Sequence, residues 1–422
     1  MRDDGSSAPG AGPPAQKPFP RPAGLLDNPG PSSRSNGSAM KLLIPGPVMT
    51  HPSVRAAMAI DYAPWDNDFR AVYARVLRRL LPIAGGTPDK HAVLPLQGCG
   101  HFAVEAAIRT FVPKGGKLLL PMTGAYADRA CRLAEEAGRT VVQLPVAPRS
   151  RTEVEAVLAA LEADPAISHV ALVYSETGSG IIHDVPTIAG AVGRLGRRVL
   201  VDAVSAFGIL PFDIGLLPAV DAISFTSNKG LEGLPGMSFT VSPIERLDAC
   251  RGNAGSWSLD LSDVWDHQSG GATPGARRNV RSTPGAARFT PPAQVVAALD
   301  VAIGRFEAEG QAARLQRYTA NMRTFYDGVA ALGLTPCLPA ALQGPIIVNV
   351  AAPADPAWDL QRFVDGLKAQ GFLISNFYNT PEPSFRVGCI GAIEPEDMAA
   401  ALRAIDRVLT DMGVKERAGR PS

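Results

Sequence analysis

Ser224-Phe225-Thr226-Ser227-Asn228-Lys229-Gly230-Leu231-Glu232-Gly233-Leu234-Pro235-Gly236 is the stretch around which the chain is organised. A short β-type run ends here, and a lysine follows among small polar residues with glycine directly after it. That setting suits a lysine held against a bound group better than one left to water. Upstream, Val199-Leu200-Val201-Asp202-Ala203-Val204-Ser205 reads as a buried strand ending in an acid. A loop amine and a strand-end carboxylate are what pyridoxal phosphate needs. The amine condenses with the cofactor's aldehyde, and the carboxylate keeps the pyridine nitrogen protonated so that the ring can take electrons. Lys229 and Asp202 are therefore the candidate catalytic residues.

Working outward, apolar runs of strand length alternate with helical spacing. Strands are expected at His91 to Leu96, Lys117 to Pro121, Thr140 to Leu144, His169 to Tyr174, Arg198 to Val201, Ala219 to Phe225 and Met237 to Val241. Helices are expected at Phe69 to Leu81, Phe102 to Ile108, Tyr126 to Ala137, Val154 to Ala163 and Val185 to Leu195. The alternation predicts an α/β fold with a mostly parallel sheet covered on both faces. In such sheets ligands sit beyond the carboxyl ends of the strands. The polar clusters fall there: Gly98 to His101, Thr123 to Tyr126, Ser175 to Gly180, Asp202 and Lys229. Leu96-Gln97-Gly98-Cys99-Gly100-His101-Phe102 is also a strand, a glycine turn and a helix start. Free amides and the helix dipole then face one spot, where an anion is favoured. Lys41-Leu42-Leu43-Ile44-Pro45-Gly46-Pro47 is a short strand broken by a stiff turn, either an ordinary one or the mouth of a site.

The arginines of the 69–81 helix read as a solvated face. Residues 243–289 read as extended segments at a subunit contact, and two long helices follow, at Pro291 to Glu309 and Ala312 to Leu332. The remainder reads as a smaller α+β unit, with strands at Pro345 to Val350, Phe372 to Ser375 and Ser384 to Val387 and helices at Leu360 to Ala369 and Pro395 to Met412. The domain expectation is a disordered tail over 1–39, a large domain over 40–310, a small domain over 311–413 and a disordered tail over 414–422. The 422 residues carry a formal net charge of +1, which favours neither nucleic acid nor an anionic membrane as partner. No apolar run reaches the roughly 18 residues of a membrane span. The first 39 residues lack an apolar signal-peptide core. Five cysteines and six histidines are dispersed without the spacing of a disulfide framework or a metal site, so no metal is expected and a reducing, cytoplasmic setting is.

With these residues in hand, the chain resembles the class-V aminotransferases of fold type I, and among them the 2-aminoethylphosphonate–pyruvate transaminases. Pro45-Gly46-Pro47, Trp65-Asp66-Asn67-Asp68-Phe69-Arg70-Ala71-Val72, Leu96 to Ala106 and Gly124-Ala125-Tyr126 carry the resemblance. So do Glu176-Thr177-Gly178-Ser179-Gly180, Val201 to Gly208, Ser227 to Gly233, Arg288 to Pro292 and Phe385 to Ile393. It implies a large domain with a seven-stranded-type sheet, a smaller C-terminal domain, pyridoxal 5'-phosphate as cofactor and a homodimer.

Residue by residue, the resemblance makes Lys229 the lysine that links to the cofactor and then moves the proton, and Asp202 the partner of the ring nitrogen. Cys99, Gly100 and His101 match the phosphate loop, and Thr226 matches a hydroxyl on the phosphate. Thr290 matches a threonine that reaches the neighbouring subunit's phosphate, with a helix cap before Pro291 as the other reading. Tyr126 matches the aromatic on the ring, and Thr177 the hydroxyl near its oxygen. Arg386, with Pro45 and Gly46 nearby, matches the substrate-anion site, where a planar fork of donors suits a carboxylate or phosphonate. The chain departs from the family at Cys99 and His101, where hydroxyl residues are usual, at Gly178, and at Ile374-Ser375-Asn376-Phe377-Tyr378-Asn379. The implied activity moves the amino group of 2-aminoethylphosphonate to pyruvate. A class-V transaminase for another donor, of the alanine– or serine–glyoxylate type or for a related aminophosphonate, and a cofactor-binding protein with little turnover are the alternatives.

Overall fold

The computed structural model describes residues 40–270, 285–376 and 382–419. The tail expected over 1–39 lies outside the described residues. The chain opens with β1 (Lys41–Leu42) and a short helix, α1 (Pro52–Ala56). Next comes α2 (Asn67–Ile83), capped by Asp66, whose carboxylate accepts the Asp68 N–H. Phe69, Tyr73, Val76 and Leu80 line its buried face at helical spacing.

A strand–helix series follows: β2 (His91–Gln97), α3 (Gly100–Phe111), β3 (Lys117–Met122), α4 (Ala125–Glu136), β4 (Thr140–Pro145) and α5 (Val154–Ala163). It continues through β5 (Ile167–Val173), α6 (Val185–Arg194), β6 (Arg198–Asp202), β7 (Val220–Thr226) and β8 (Met237–Pro243). These strands form one seven-stranded sheet in the order β2-β8-β7-β6-β5-β3-β4. Only β8 runs against its neighbours, β7 and β2. The pairs β3–β4, β3–β5, β5–β6 and β6–β7 are parallel. Every residue of β7 is buried, as expected of a central strand covered on both faces. Two hydrophobic clusters, one on Val170, Val201, Ile223 and Phe239 and one on Leu118, Leu120, Leu200 and Ala222, hold the sheet between its helices. The α/β expectation with a mostly parallel seven-stranded sheet is met.

Residues 243–289 differ from the extended segments expected. They contain α7 (Ile244–Ala249) and α8 (Leu261–Ser269), and Asp260 caps the second by accepting the Ser262 and Asp263 N–H groups. Residues 271–284 lie outside the described residues. Then come α9 (Ala293–Glu309) and α10 (Gln311–Ala331). The arginines of α2 are not simply solvated: Arg75 and Arg79 both reach Asp300 on α9, at 2.6 and 2.7 Å.

The last part holds β9 (Ile347–Ala351), α11 (Leu360–Ala369), β10 (Phe372–Leu373), β11 (Ser384–Gly388) and α12 (Pro395–Met412). β9 and β11 are antiparallel. With α10, α11 and α12 they enclose a separate hydrophobic cluster built on Phe325, Phe363, Phe385 and Leu409. β1 joins this part by pairing in parallel with β10. Residues 414–419, expected as tail, are tied down instead. Val414 is buried, and the Lys415 and Glu416 N–H groups donate to Asp355 at 2.7 and 2.9 Å. Arg417 pairs with Asp406 at 2.7 Å.

Candidate active site

The carboxyl ends of β3, β5, β6 and β7 bring Gly124-Ala125-Tyr126, Glu176-Thr177, Asp202 and Lys229 to one edge of the sheet. Lys229 follows β7 in a turn closed by the Gly233 N–H on the Ser227 carbonyl at 2.8 Å. Its side chain is buried, and its Nζ donates to the Pro45 carbonyl at 2.6 Å. Gly46 lies so close to the end of this side chain that a Cβ there would overlap it, and its φ of +154° also favours glycine. The Pro45-Gly46-Pro47 turn is thus at the mouth of the site, the second of its two sequence readings.

Burial pulls the Lys229 amine down to about 8, and the Arg386 charge adds to this while Asp202 opposes it. An amine in that range is partly neutral near physiological pH and able to attack a carbonyl. Asp202 keeps an accessible face at the end of β6. Burial raises its carboxyl to about 6; the Val204 N–H, which donates to it at 3.0 Å, and the charges of Lys229 and Arg129 hold back part of that rise. A carboxylate so short of partners, beside a lysine, is set to receive a cationic N–H.

Arg386 reaches the site from β11. It is buried, and its Nη1 donates to the Thr177 carbonyl at 3.1 Å. Thr177 is buried too, with its hydroxyl 3.4 Å from that of Ser205. Tyr126, in the first turn of α4, lies under the guanidinium of Arg129, 5.3 Å from the ring centroid. At the start of α3, Cys99 is exposed and caps nothing with its side chain, so the first amides of the helix are left for an anion. A Cβ on Gly100 would run into Val204, two residues past Asp202, so a glycine is needed for this helix to approach β6. Thr226 is buried, with its hydroxyl 2.8 Å from Asn228 Oδ1 and 3.0 Å from the Met237 carbonyl.

Thr290 stands apart. It is exposed, its carbonyl accepts from the Gln97 side chain, and Pro292 rather than Thr290 occupies the capping position of α9. Beside it opens a cavity of about 400 Å³ lined in part by Gln97, Phe102, Arg288 and Phe289. Of the segment at 374–379, Ile374 and Ser375 are buried and residues 377–379 lie outside the described residues.

A depressed lysine, an under-partnered carboxyl and an uncapped helix start together fit pyridoxal phosphate: an aldehyde, a ring nitrogen and a phosphate. The comparisons agree. Residues 84–249 match the family model "Aminotransferase class-V". Over 375 residues the chain is 42% identical to 2-aminoethylphosphonate–pyruvate transaminase 2 of Burkholderia lata, covering 89% of this chain and 96% of that one. It is 42% identical over 374 residues to the 2-aminoethylphosphonate–pyruvate transaminase of Pseudomonas putida KT2440, covering 88% and 98%.

The chain belongs to the class-V aminotransferase family.

It is an enzyme of the transaminase class, and its cofactor is pyridoxal 5'-phosphate. Its fold is that of the fold-type I aminotransferases. Ureidoglycine–glyoxylate aminotransferase from Bacillus subtilis superposes with a TM-score of 0.78 at 20% identity, covering 92% of this chain and 97% of that one. Alanine–glyoxylate aminotransferase from Nostoc sp. gives 0.77 at 23%, covering 89% and 97%.

This class-V aminotransferase also brings to the site a residue that sequence reasoning gave no role. Glu176 is buried; one oxygen accepts the Gly178 N–H at 2.8 Å, and the Tyr126 backbone also faces this carboxyl. Burial lifts its carboxyl to about 7, and the charge of Asp202 adds to that. Gly124, at φ +144°, packs against this carboxyl, where a Cβ would come within 2.9 Å. The only available signal was position, at the end of a predicted strand. None of the described residues form a cluster able to hold a metal ion.

Proposed function

We propose that this enzyme transfers the amino group of 2-aminoethylphosphonate to pyruvate, giving phosphonoacetaldehyde and L-alanine. The observation that carries the reading is the convergence of a buried lysine, a half-buried acid and a buried arginine at one end of the sheet, with Lys229 feeling the charge of both others. The likeness to the Burkholderia and Pseudomonas transaminases, which runs nearly the length of the chain, supports the choice of donor. Pyridoxal phosphate, when bound, supplies the aldehyde that captures the amine and the ring that takes up the electrons.

The rest falls to the chain. Lys229 holds the cofactor between turnovers. Its amine, when free and neutral, would be placed to take the proton from the substrate carbon next to nitrogen. Asp202 keeps the proton on the ring nitrogen. Arg386 grips the phosphonate of the donor and, in the second half-reaction, the carboxylate of pyruvate. The first amides of α3, at Cys99, Gly100 and His101, would hold the phosphate, with help from Thr226. Tyr126 would be the aromatic against the ring and Thr177 the hydroxyl for its oxygen, while Pro45 and Gly46 roof the lysine.

The enzyme works as a homodimer in this reading, with Thr290 of the partner subunit completing the phosphate site. The exposed Trp257 and Phe289 beside Thr290 favour such a contact. A cytoplasmic setting belongs to the same reading and is in keeping with five cysteines present as thiols.

A half-reaction tests the proposal. Adding 2-aminoethylphosphonate alone to the loaded enzyme abolishes the visible absorbance band, and pyruvate restores it. A band that ignores 2-aminoethylphosphonate but collapses with alanine or serine would discard the phosphonate donor and keep the transaminase.

A further inference from the structure

Glu232, three residues beyond Lys229, has a φ of +55°. Left-handed backbone is unfavourable for a residue with a Cβ and persists only where its surroundings over-determine it. Here they do. The Glu232 N–H donates to the Lys229 carbonyl at 2.9 Å, closing the turn that carries the lysine. Its buried carboxylate accepts from Tyr318 Oη at 2.5 Å and from Arg317 Nη2 at 2.8 Å, both on α10.

Arg317 does not stop there. Its Nη1 donates to the Gly391 carbonyl at 2.7 Å and to the Ile393 carbonyl at 3.1 Å, in the loop that leaves β11, the strand of Arg386. Glu309 accepts its Nε at 2.7 Å and so fixes the plane of the guanidinium. One cation therefore holds the turn of Lys229 and the loop behind Arg386 at the same time. These contacts are charge-assisted and mostly shielded from water, which makes them the stiff kind of link.

We propose that Glu232 and Arg317 are positioning residues for the transamination: through their ion pair and the Gly391 and Ile393 carbonyls they set the height of Lys229 relative to Arg386, and hence the fit between the reacting carbon and the anion at the far end of the substrate. The inference rests on the roles given above to Lys229 and Arg386. It predicts that loosening the link harms the reaction without emptying the site, because neither residue is among those assigned above to hold substrate or cofactor.

The experiment compares wild type, Arg317→Met, Arg317→Lys and Glu232→Gln in two states. In the loaded enzyme, Arg317→Met lowers kcat/KM for both substrates about 100-fold, the scale of a misplacement of about 1 Å. The cofactor still binds, and the pH midpoint of its visible band moves away from that of wild type. Arg317→Lys recovers part of the loss. In the cofactor-free protein, amide exchange at Glu232 and Gly233 is at least about tenfold faster in Arg317→Met, because a restraint on the turn is gone.

The proposal is overturned if Arg317→Met folds, keeps the wild-type midpoint and exchange rates, and has kcat/KM within about twofold of wild type. If Arg317→Met does not fold, Glu232→Gln carries the test with the same expectations, since it keeps the shape and removes the charge. A wild-type enzyme that shows no visible band with cofactor would instead bring down the reading of Lys229, and this inference with it.

Discussion

Two aspartates on neighbouring strands have opposite fates. Asp202 ends β6 and Asp221 is the second residue of β7, and each lies close to positive charge. Asp221 is fully buried, yet it is surrounded by donors. Arg198 Nε reaches it at 2.7 Å, Arg246 Nε at 2.8 Å and His169 Nε2 lies 3.2 Å away. Burial alone would raise its carboxyl, but these bonds outweigh burial and hold it at about 2. Asp202 has one backbone donor within hydrogen-bond reach among the described residues, and burial wins, raising it to about 6. The acid at the amino end of its strand is fully partnered and serves stability. The acid at the carboxyl end is kept short of partners and serves a ligand. Under-satisfied, perturbed groups at the ligand end of an α/β sheet are the mark of a working site.

The contrast breaks first at Lys229. In Lys229→Ala, turnover falls by about 10⁴-fold or more, because both the link to the cofactor and the proton carrier are gone. A variant that keeps the visible band and full turnover would remove the lysine from the mechanism. Asp202→Asn comes next. It leaves the shape intact but cannot hold a cationic ring N–H by charge, so kcat drops about 10²–10³-fold, on the scale of losing one preorganised electrostatic partner. Asp221→Asn leaves kcat per folded molecule near wild type; a loss as large as that of Asp202→Asn would erase the distinction.

Stability moves the other way. Asp221→Asn strands Arg198 and Arg246 and costs about 3 kcal/mol, at the low end for breaking a buried ion pair because both arginines keep some access to water. Chemical denaturation reads this directly. In the cofactor-free protein Asp202→Asn is instead more stable than wild type at neutral pH, by roughly 1–2 kcal/mol, since it removes a half-buried charge without a full set of partners. The pH dependences have opposite signs. The folded value for Asp221 is depressed, so its contribution is full above the ordinary carboxylate value of about 4 and is lost as pH falls toward about 2. The folded value for Asp202 is raised, so the folded chain holds the extra proton, and stability declines as pH rises from about 4 through about 6. Each Asn variant flattens its own slope and leaves the other.

Only one of the two aspartates could be read from sequence. Asp202 ends an unbroken apolar strand, and Lys229 stands beside glycines in a turn; both signals are local. Nothing around Ala219-Val220-Asp221 marks an ion-pair hub, because its partners come from β5, β6 and α7 and meet only in the folded chain. The same limit explains the rest. The helical and strand periods of α2, α11, α12 and the central sheet were legible, whereas the pairing of β1 with β10 and the Arg75–Asp300 contact were not. α7 and α8 escaped notice because they are short and lie among glycines and tryptophans, although Asp260 ahead of Leu261-Ser262-Asp263 was a usable cap signal. For the site, position after a strand located nearly every member, but it could not rank Glu176 above its neighbours.

The smallest expected effect tests a third way of handling charge, in which backbone amides carry most of the hold on an anion. At the start of α3 the first amides carry the task, and Cys99 contributes no side-chain bond. A thiol is a weak donor. Cys99→Ser places a hydroxyl where it can donate to a phosphate or accept an amide of the first turn. One added hydrogen bond of ordinary net strength, about 0.5–1.5 kcal/mol, corresponds to a few-fold tighter binding. The cofactor dissociation constant of Cys99→Ser therefore falls a few-fold, while kcat at saturating cofactor stays unchanged, because the phosphate end is remote from the reacting carbon. A weaker-binding variant would mean that the sulfur fills space a hydroxyl cannot and that the turn is shaped around Cys99. An altered kcat would mean that the phosphate grip sets the tilt of the ring against Asp202, which would join the α3 start to the under-partnered acid as one device.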